Sequence, residues 1–256
     1  MSAPYLEFVR RNQDVELPSD QFPGCLGFVK NFRVEFRSPV TFFVGENGCG
    51  KSTVLEAIAY LVGLPVAGGS FNEDGAGHGP EDESLLARAI RVGFARSIPD
   101  AYFFRAEFQA HFASLLDLRR CDPDFGGDPY SSYGGRPLHS MSHGEAFLSV
   151  MQNRFQKGLF LLDEPESALS PKRQLTLLAM MHDRVQRKQT QFVIATHSPI
   201  LLTYPNAQIV CFDDASLPNV SLDETAHFQI TQGILNRPEA YWKHLRDSGD
   251  ERKDDL

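Results

Sequence analysis

An α/β fold, with a mainly parallel sheet flanked by helices, is what this sequence predicts, and three observations predict it. Apolar runs of strand length recur at 40–44, 158–162 and 191–196, too continuous for half-exposed strands and typical of a sheet covered on both faces. Stretches with helical spacing follow them. Each run also ends in residues suited to phosphate chemistry, the first of them in a glycine-rich turn.

That turn is Gly45-Glu46-Asn47-Gly48-Cys49-Gly50-Lys51-Ser52, placed after Val40-Thr41-Phe42-Phe43-Val44 and before Thr53-Val54-Leu55-Glu56-Ala57-Ile58. It is a complete G-x-x-x-x-G-K-S phosphate loop with a buried strand before it and a helix after it. The glycines let backbone N–H groups converge, and the helix beginning near Lys51 adds its positive end, so a polyphosphate meets a ready nest. Lys51 is expected to reach the outer phosphates and the Ser52 hydroxyl to hold Mg²⁺. Cys49 fills a variable position where the backbone N–H matters, and its thiol has no assigned role.

Bulk properties bound the partners. The 256 residues, 42% hydrophobic, suffice for one large core or a core with a small subdomain. A net charge of -8 argues against a broadly basic surface, so nucleic acid is not indicated by charge, although a local patch stays open. Cys25, Cys49, Cys121 and Cys211 are scattered, with neither a C-x-x-C pair nor neighbouring histidines, which fits a reducing cytoplasmic setting without a disulfide framework or zinc site. No stretch has the length and apolarity of a signal peptide or a membrane span, so a soluble chain without direct membrane insertion is expected.

Taken in order, residues 5–10 and 26–36 alternate apolar and polar and predict N-terminal antiparallel strands over the phosphate-loop region. Phe28 or Phe32 is a candidate for stacking on adenine, although aromatic residues on strands more often belong to the core. A helix follows at 52–62, then a segment at 63–80 with Gly63, Gly68, Gly69, Gly75, Gly77 and Gly79 that reads as a loop. Leu85, Leu86, Ala89, Ile90 and Val92 suggest a helix over 83–96, with Arg88, Arg91 and Arg96 forming a solvated face or a polyanion-contacting patch. Residues 101–108 predict a buried strand, and a helix over 109–120 ends before the Pro/Gly-rich stretch 122–137. Together, residues 64–140 are expected to form a glycine-rich loop and small helical lid subdomain inserted in a single domain spanning 1–256.

The second half carries the remaining chemistry. Ser142-His143-Gly144-Glu145 precedes a helical run, offering a hydroxyl and free N–H groups, though a plain N-cap would look the same. The run 158–162 ends in Asp163-Glu164, which places Asp163 to bind Mg²⁺ and Glu164 to polarise a water. Ser170-Pro171 starts a helix whose inner face is marked by Leu175, Leu178, Ala179, His182 and Val185. The strand 191–196 delivers His197 beside the nucleotide, where it can sense a γ-phosphate, and Ser198-Pro199 opens another helix. Residues 208–212 give one more strand, and the charged end, 247–256, reads as frayed.

The order of these motifs resembles the ATP-binding cassette (ABC) ATPases among the P-loop NTPases: phosphate loop at Gly45, signature at Ser142-His143-Gly144-Glu145, Walker B at Asp163-Glu164 and switch histidine at His197. The strings Phe42-Phe43-Val44-Gly45-Glu46-Asn47-Gly48, Asp163-Glu164-Pro165-Glu166-Ser167-Ala168-Leu169-Ser170-Pro171 and Ala195-Thr196-His197-Ser198-Pro199 look most like small stand-alone bacterial AAA-family ATPases, relatives of the SMC and recombination-repair ATPases. The likeness covers nearly the whole chain. Three departures are visible. His143 stands where many transporters have glycine, Ser170 stands at the D-loop aspartate, and either Glu107 or Gln109 would serve as the Q-loop residue. The interval between Lys51 and Ser142 leaves no room for the coiled-coil arms of SMC proteins.

The resemblance implies ATP and Mg²⁺ as ligands and an ATP-dependent homodimer that sandwiches two nucleotides. Ser142 and Gly144 of one copy would complete the γ-phosphate site formed by Lys51, Ser52, Asp163, Glu164 and His197 of the other. The leading expectation is a soluble ATPase driving a protein partner, in DNA maintenance or phage defence. Alternatives are the nucleotide-binding subunit of an ABC transporter and a non-hydrolysing ATP-gated scaffold.

Overall fold

The computed structural model describes residues 4–71, 84–106, 109–122 and 126–250. Its strands in chain order are β1 (Leu6–Arg11), β2 (Arg33–Glu35), β3 (Val40–Val44), β4 (Gly69–Ser70), β5 (Ile90–Phe94), β6 (Ala101–Arg105), β7 (Gly158–Asp163), β8 (Thr190–Ala195) and β9 (Gln208–Cys211). The helices are α1 (Lys51–Val62), α2 (Gln109–Cys121), α3 (His143–Arg154), α4 (Pro171–Gln186), α5 (Ala226–Asn236) and α6 (Pro238–Asp250).

Six strands form the central sheet in the order β4-β6-β7-β8-β3-β9. Its pairings are parallel except for the short β4 at one edge. Side chains alternate between the two faces, as the pleat requires. Phe43, Leu159, Leu161 and Val193 join Val54, Leu55 and Ile58 of α1 in one core. Phe42, Val44, Phe160, Leu162 and Ile194 join Phe147 and Met151 of α3 and Leu177 and Met181 of α4 in the other. Helices on both faces explain why β3, β7 and β8 are buried along their whole length and read as continuous apolar runs.

A second sheet, antiparallel in the order β2-β1-β5, covers the α1 side. Gln191, fully buried at the start of the β8 run, fastens it to the central sheet: its Oε1 accepts the N–H groups of Tyr5 (3.0 Å) and Leu6 (2.8 Å), and its Nε2 donates to Leu6 O (3.0 Å). One side chain thereby satisfies three buried backbone groups where a sheet would otherwise end.

Several expectations are corrected. Residues 26–36 are not one strand: 29–31 form a 3-10 turn and only Arg33–Glu35 pairs with β1. The helix expected over 83–96 is a short 3-10 turn, Ala87–Ala89, followed by β5, because pairing with β1 outweighs the local helical spacing. Arg91 therefore lies in a strand opposite Arg10 and bonds Asp14, while Arg96 stacks over Tyr5. Within the segment 64–140, β4 and β6 belong to the central sheet and β5 to the second one. The inner face of α4 is Gln174, Leu177, Met181 and Val185, whereas Leu175 is 59% exposed. After Ser198-Pro199 there is only a 3-10 turn, Leu201–Thr203. Helical structure continues through Asp250, and residues 251–256 of the tail expected to fray lie outside the described residues.

Candidate functional site

Register brings the functional residues to one edge of the sheet. Phe43 of β3 stands beside Ala195 of β8, Ala195 beside Asp163 of β7, and Asp163 beside Arg105 of β6. The chain leaves this row at Val44 into the phosphate loop, at Asp163 into Glu164, and at Ala195 into Thr196 and His197. All three exits lie at the carboxyl ends of parallel strands, where open α/β sheets bind ligands. Backbone bonds extend the ladder past the strands: Glu164 N–H to Ala195 O (3.0 Å) and Thr196 N–H to Phe43 O (3.1 Å).

The loop itself turns through positive φ at Gly45, Gly48 and Gly50. Gly50, at φ 101°, requires glycine twice over, since a Cβ there would lie 2.8 Å from Phe28 Cε1. Phe28 is thus the wall behind the loop, packed edge-on to Phe212 with ring centroids 5.2 Å apart. Phe28 and Phe32 are 2% and 1% exposed, which overturns the adenine-stacking reading for both in favour of the core. The Lys51 ammonium is buried and donates to Gly45 O (2.7 Å) and Glu46 O (2.9 Å), pulling the loop around itself. The Glu46 N–H is tied to Asp213 Oδ1 (2.7 Å) beyond β9. Thr53 follows Ser52 in the first turn of α1, and Asn47 and Cys49 lie in the loop. Burial pushes the Cys49 thiol above its ordinary range despite the nearby Lys51.

Ser52 Oγ donates to Asp163 Oδ1 at 2.9 Å. Burial raises the Asp163 carboxyl to about 6, against the lowering influence of Arg105 and of the Ser52 bond. Arg105, 8% exposed, is 3.7 Å from Asp163 Oδ2 and 2.7 Å from Glu56 Oε1. A hydroxyl and a carboxylate, both hard oxygen donors beside a phosphate nest, suit Mg²⁺, which takes one or two protein oxygens and completes its shell with substrate oxygens and water. Consistent with so sparse a donor set, no cluster of three or more His, Cys, Asp or Glu capable of holding a metal occurs among the described residues.

Glu164 adopts φ 46°, ψ 53°, a left-handed conformation uncommon for a non-glycine residue. Its Oε1 lies 3.5 Å from His197 Nε2. His197 is held by its backbone N–H on Glu166 Oε1 (2.6 Å) and by a ring contact of 2.8 Å between its Nδ1 and His227 Nε2. Burial, then the neighbouring Lys51 and His227, lowers its pKa. Burial likewise raises Glu166.

Ser142 caps α3 in a full capping box with Glu145. Arg173 of α4 donates to Ser142 Oγ (3.0 Å) and Glu145 Oε1 (3.0 Å). Gly144 is needed for close approach: a Cβ would lie 2.7 Å from Ala168 O and 2.6 Å from Arg173 Nη1. His143 is exposed. The contacts of Ser142, Gly144 and Glu145 thus run to Arg173 and Ala168 rather than to the phosphate loop. Glu107 lies outside the described residues, and Gln109 opens α2 with its side chain outside them.

Sequence reading had passed over Arg105, Glu166, Arg173, Asp213 and His227. A charged residue closing the apolar run 101–105 was the available signal for Arg105. The other four act through contacts distant in the chain that no local pattern marks.

Comparison with known proteins adds relatives to this geometry. Residues 24–95 match the family model described as "AAA domain", and residues 94–203 match "AAA domain, putative AbiEii toxin, Type IV TA system". The cobalt import ATP-binding protein CbiO of Salmonella typhimurium is 28% identical over 185 residues, 66% of this chain and 66% of that protein, just short of two thirds of its length. The hemin import ATP-binding protein HmuV of Rhodopseudomonas palustris is 31% identical over 60% of this chain and 63% of its own. Among solved structures, MJ1267, an ATP-binding cassette of an ABC transporter, overlays with a TM-score of 0.52 at 14% identity, covering 88% of this chain and 98% of that one. No helix among the described residues is long and apolar enough to cross a membrane. The sheet order and the overlay on MJ1267 show that the chain has the ABC-type P-loop NTPase fold, and the two AAA-domain matches together span its residues 24–203.

Proposed function

We propose that this chain binds ATP with Mg²⁺ and hydrolyses it, and that it does so as an ATP-dependent homodimer. The observation that carries the reading is the convergence, at the carboxyl ends of β3, β7 and β8, of the Lys51 loop, the Ser52–Asp163 bond at 2.9 Å and the Glu164–His197 contact at 3.5 Å. Residues Gly45 to Thr53 cradle the phosphates, with Lys51 donating to the outer ones. Ser52 and Asp163 hold Mg²⁺, which when bound neutralises charge on the transferred phosphoryl group. Glu164 polarises the attacking water as general base, and its strained backbone supports that role, because such strain persists where surrounding structure imposes it. His197 donates toward the γ-phosphate.

Ser142, His143, Gly144 and Glu145 serve the opposite copy in this account. Within one chain Arg173 fixes them at the head of α3, and a second subunit would present them to a nucleotide. Either Glu107 or Gln109 remains the Q-loop candidate. The whole chain acts as one ATPase domain, with the lid confined to the part of 64–140 that lies outside the sheets. Phosphate release measured over a series of protein concentrations tests the reading. Specific activity that rises with concentration and needs Mg²⁺ supports it, and activity independent of concentration contradicts the dimer.

A second reading, the nucleotide-binding subunit of a membrane importer in the cytoplasm, is favoured by the import proteins among the relatives. Co-purification with a membrane protein would support it. The departures at His143 and Ser170 favour the stand-alone ATPase driving a protein partner. A scaffold that binds ATP without hydrolysing it would release no phosphate.

A further inference from the structure

Two histidines meet behind the proposed γ-phosphate position. His197 Nδ1 and His227 Nε2 are 2.8 Å apart, with ring centroids at 4.9 Å. His227 belongs to the first turn of α5, whose buried cap Thr225 accepts the Phe228 N–H, so a fixed helix start delivers its ring. On its far side, His197 Nε2 is closed off from solvent, has no hydrogen-bond partner, and lies 3.5 Å from Glu164 Oε1. The ring is therefore anchored through one nitrogen while the other is buried and aimed at the site.

Which nitrogen carries the proton decides what that aim achieves. A neutral imidazole has one N–H, and the bond made by one nitrogen sets the state of the other. Burial beside Lys51 and His227 favours the neutral ring. With the proton on Nδ1, His197 would turn a lone pair toward the Glu164 carboxylate and toward any phosphate oxygen, a repulsive arrangement. With the proton on Nε2 it donates to either, and Nδ1 must then accept a hydrogen bond. Among the described residues, His227 is placed to supply it, with its Nε2 at 2.8 Å.

We propose that His227 is a positioning residue for the ATPase site: its Nε2–H donates to His197 Nδ1 and so keeps the His197 proton on Nε2, facing Glu164 and the γ-phosphate. No covalent step is involved; the effect is on tautomer and ring orientation. The inference rests on the ATPase reading above for its consequence, but not for its geometry.

The test is long-range ¹H–¹⁵N correlation on the full chain with ¹⁵N-labelled histidine, alongside steady-state kinetics. In the wild type, His197 is expected as the Nε2–H tautomer. His227→Ala is expected to lose that preference and to lower kcat about 10-fold at unchanged KM for ATP, by analogy with the about 10- to 100-fold cost of removing a partner that orients a metal-bound histidine. His227→Gln, whose amide can donate in place of the ring, is expected to recover most of kcat. A wild-type His197 protonated on Nδ1 would overturn the proposal, and this observation needs no variant. So would a His227→Ala protein with unchanged tautomer and kcat, or one with raised kcat, which would make the contact inhibitory. A wild type that shows the expected tautomer but releases no phosphate refutes hydrolysis and leaves the positioning geometry standing.

Discussion

Ser52 Oγ and Asp163 Oδ1 are joined by a 2.9 Å hydrogen bond across 111 residues of chain, linking the helix after the phosphate loop to the carboxyl end of β7. The bond secures a carboxylate that the fold buries at a cost. Asp163 is 7% exposed and its pKa is raised to about 6 from 3.8. The native state therefore binds more protons than the unfolded chain between these values, and stability falls as pH rises through about 6. In nucleotide-free, metal-free protein at pH 7, Asp163→Asn is expected to raise Tm by a few degrees, removing a penalty on the order of 2 kcal/mol. The same variant should lose Mg²⁺-dependent phosphate release. Thermal melts in chelator at pH 5 and pH 7 check the sign: the gain should shrink at the lower pH.

Glu164 is expected to be essential for turnover but not for affinity. Glu164→Gln should lower kcat by about 10² to 10⁴, the usual contribution of a general base, while ATP binding by calorimetry persists. Unchanged turnover would remove Glu164 from that role.

Gly50→Ala tests the wall behind the loop. The new Cβ meets Phe28 at 2.8 Å in a backbone conformation, φ 101°, that costs an L-residue about 1–2 kcal/mol. Loss of at least about 10-fold in ATP affinity, measured with a fluorescent analogue, is the expected outcome, because the nest of N–H groups must shift.

Gln191→Leu addresses the joint between the sheets. It leaves the Tyr5 and Leu6 N–H groups without the acceptor they share. Each orphaned buried group costs about 1–3 kcal/mol, so a loss of about 3 kcal/mol in denaturant unfolding is expected with ATP chemistry otherwise intact.

The central strands and the loop were legible because burial on both faces writes continuous apolar runs, and because the phosphate loop follows β3, Asp163 ends β7 and His197 follows β8. β5 was not legible. Of its five residues only Ile90 is buried, and their apolar spacing suits a helix as well as a strand until β1 supplies a partner. The face of α4 was legible only in part: Val185 is buried and Leu178 packs against the core, but Leu175 and Ala179 are exposed between residues that do turn inward, so the stripe has no unique centre in the sequence. α5 was passed over for the opposite reason, since it buries no residue and leaves Ile230 and Leu235 exposed. Its contribution to the site, His227, depends on a contact 30 positions away that periodicity does not encode.

The most direct measurement is the solution mass of Glu164→Gln by light scattering, with and without Mg·ATP, because this variant should hold the nucleotide without consuming it. Doubling of the mass on addition of Mg·ATP is the result predicted by a sandwich in which Ser142 and Gly144 of one copy face Lys51 of the other. A chain that binds Mg·ATP at calorimetric saturation yet stays monomeric at every concentration would contradict the homodimer and require the opposing signature to come from another protein.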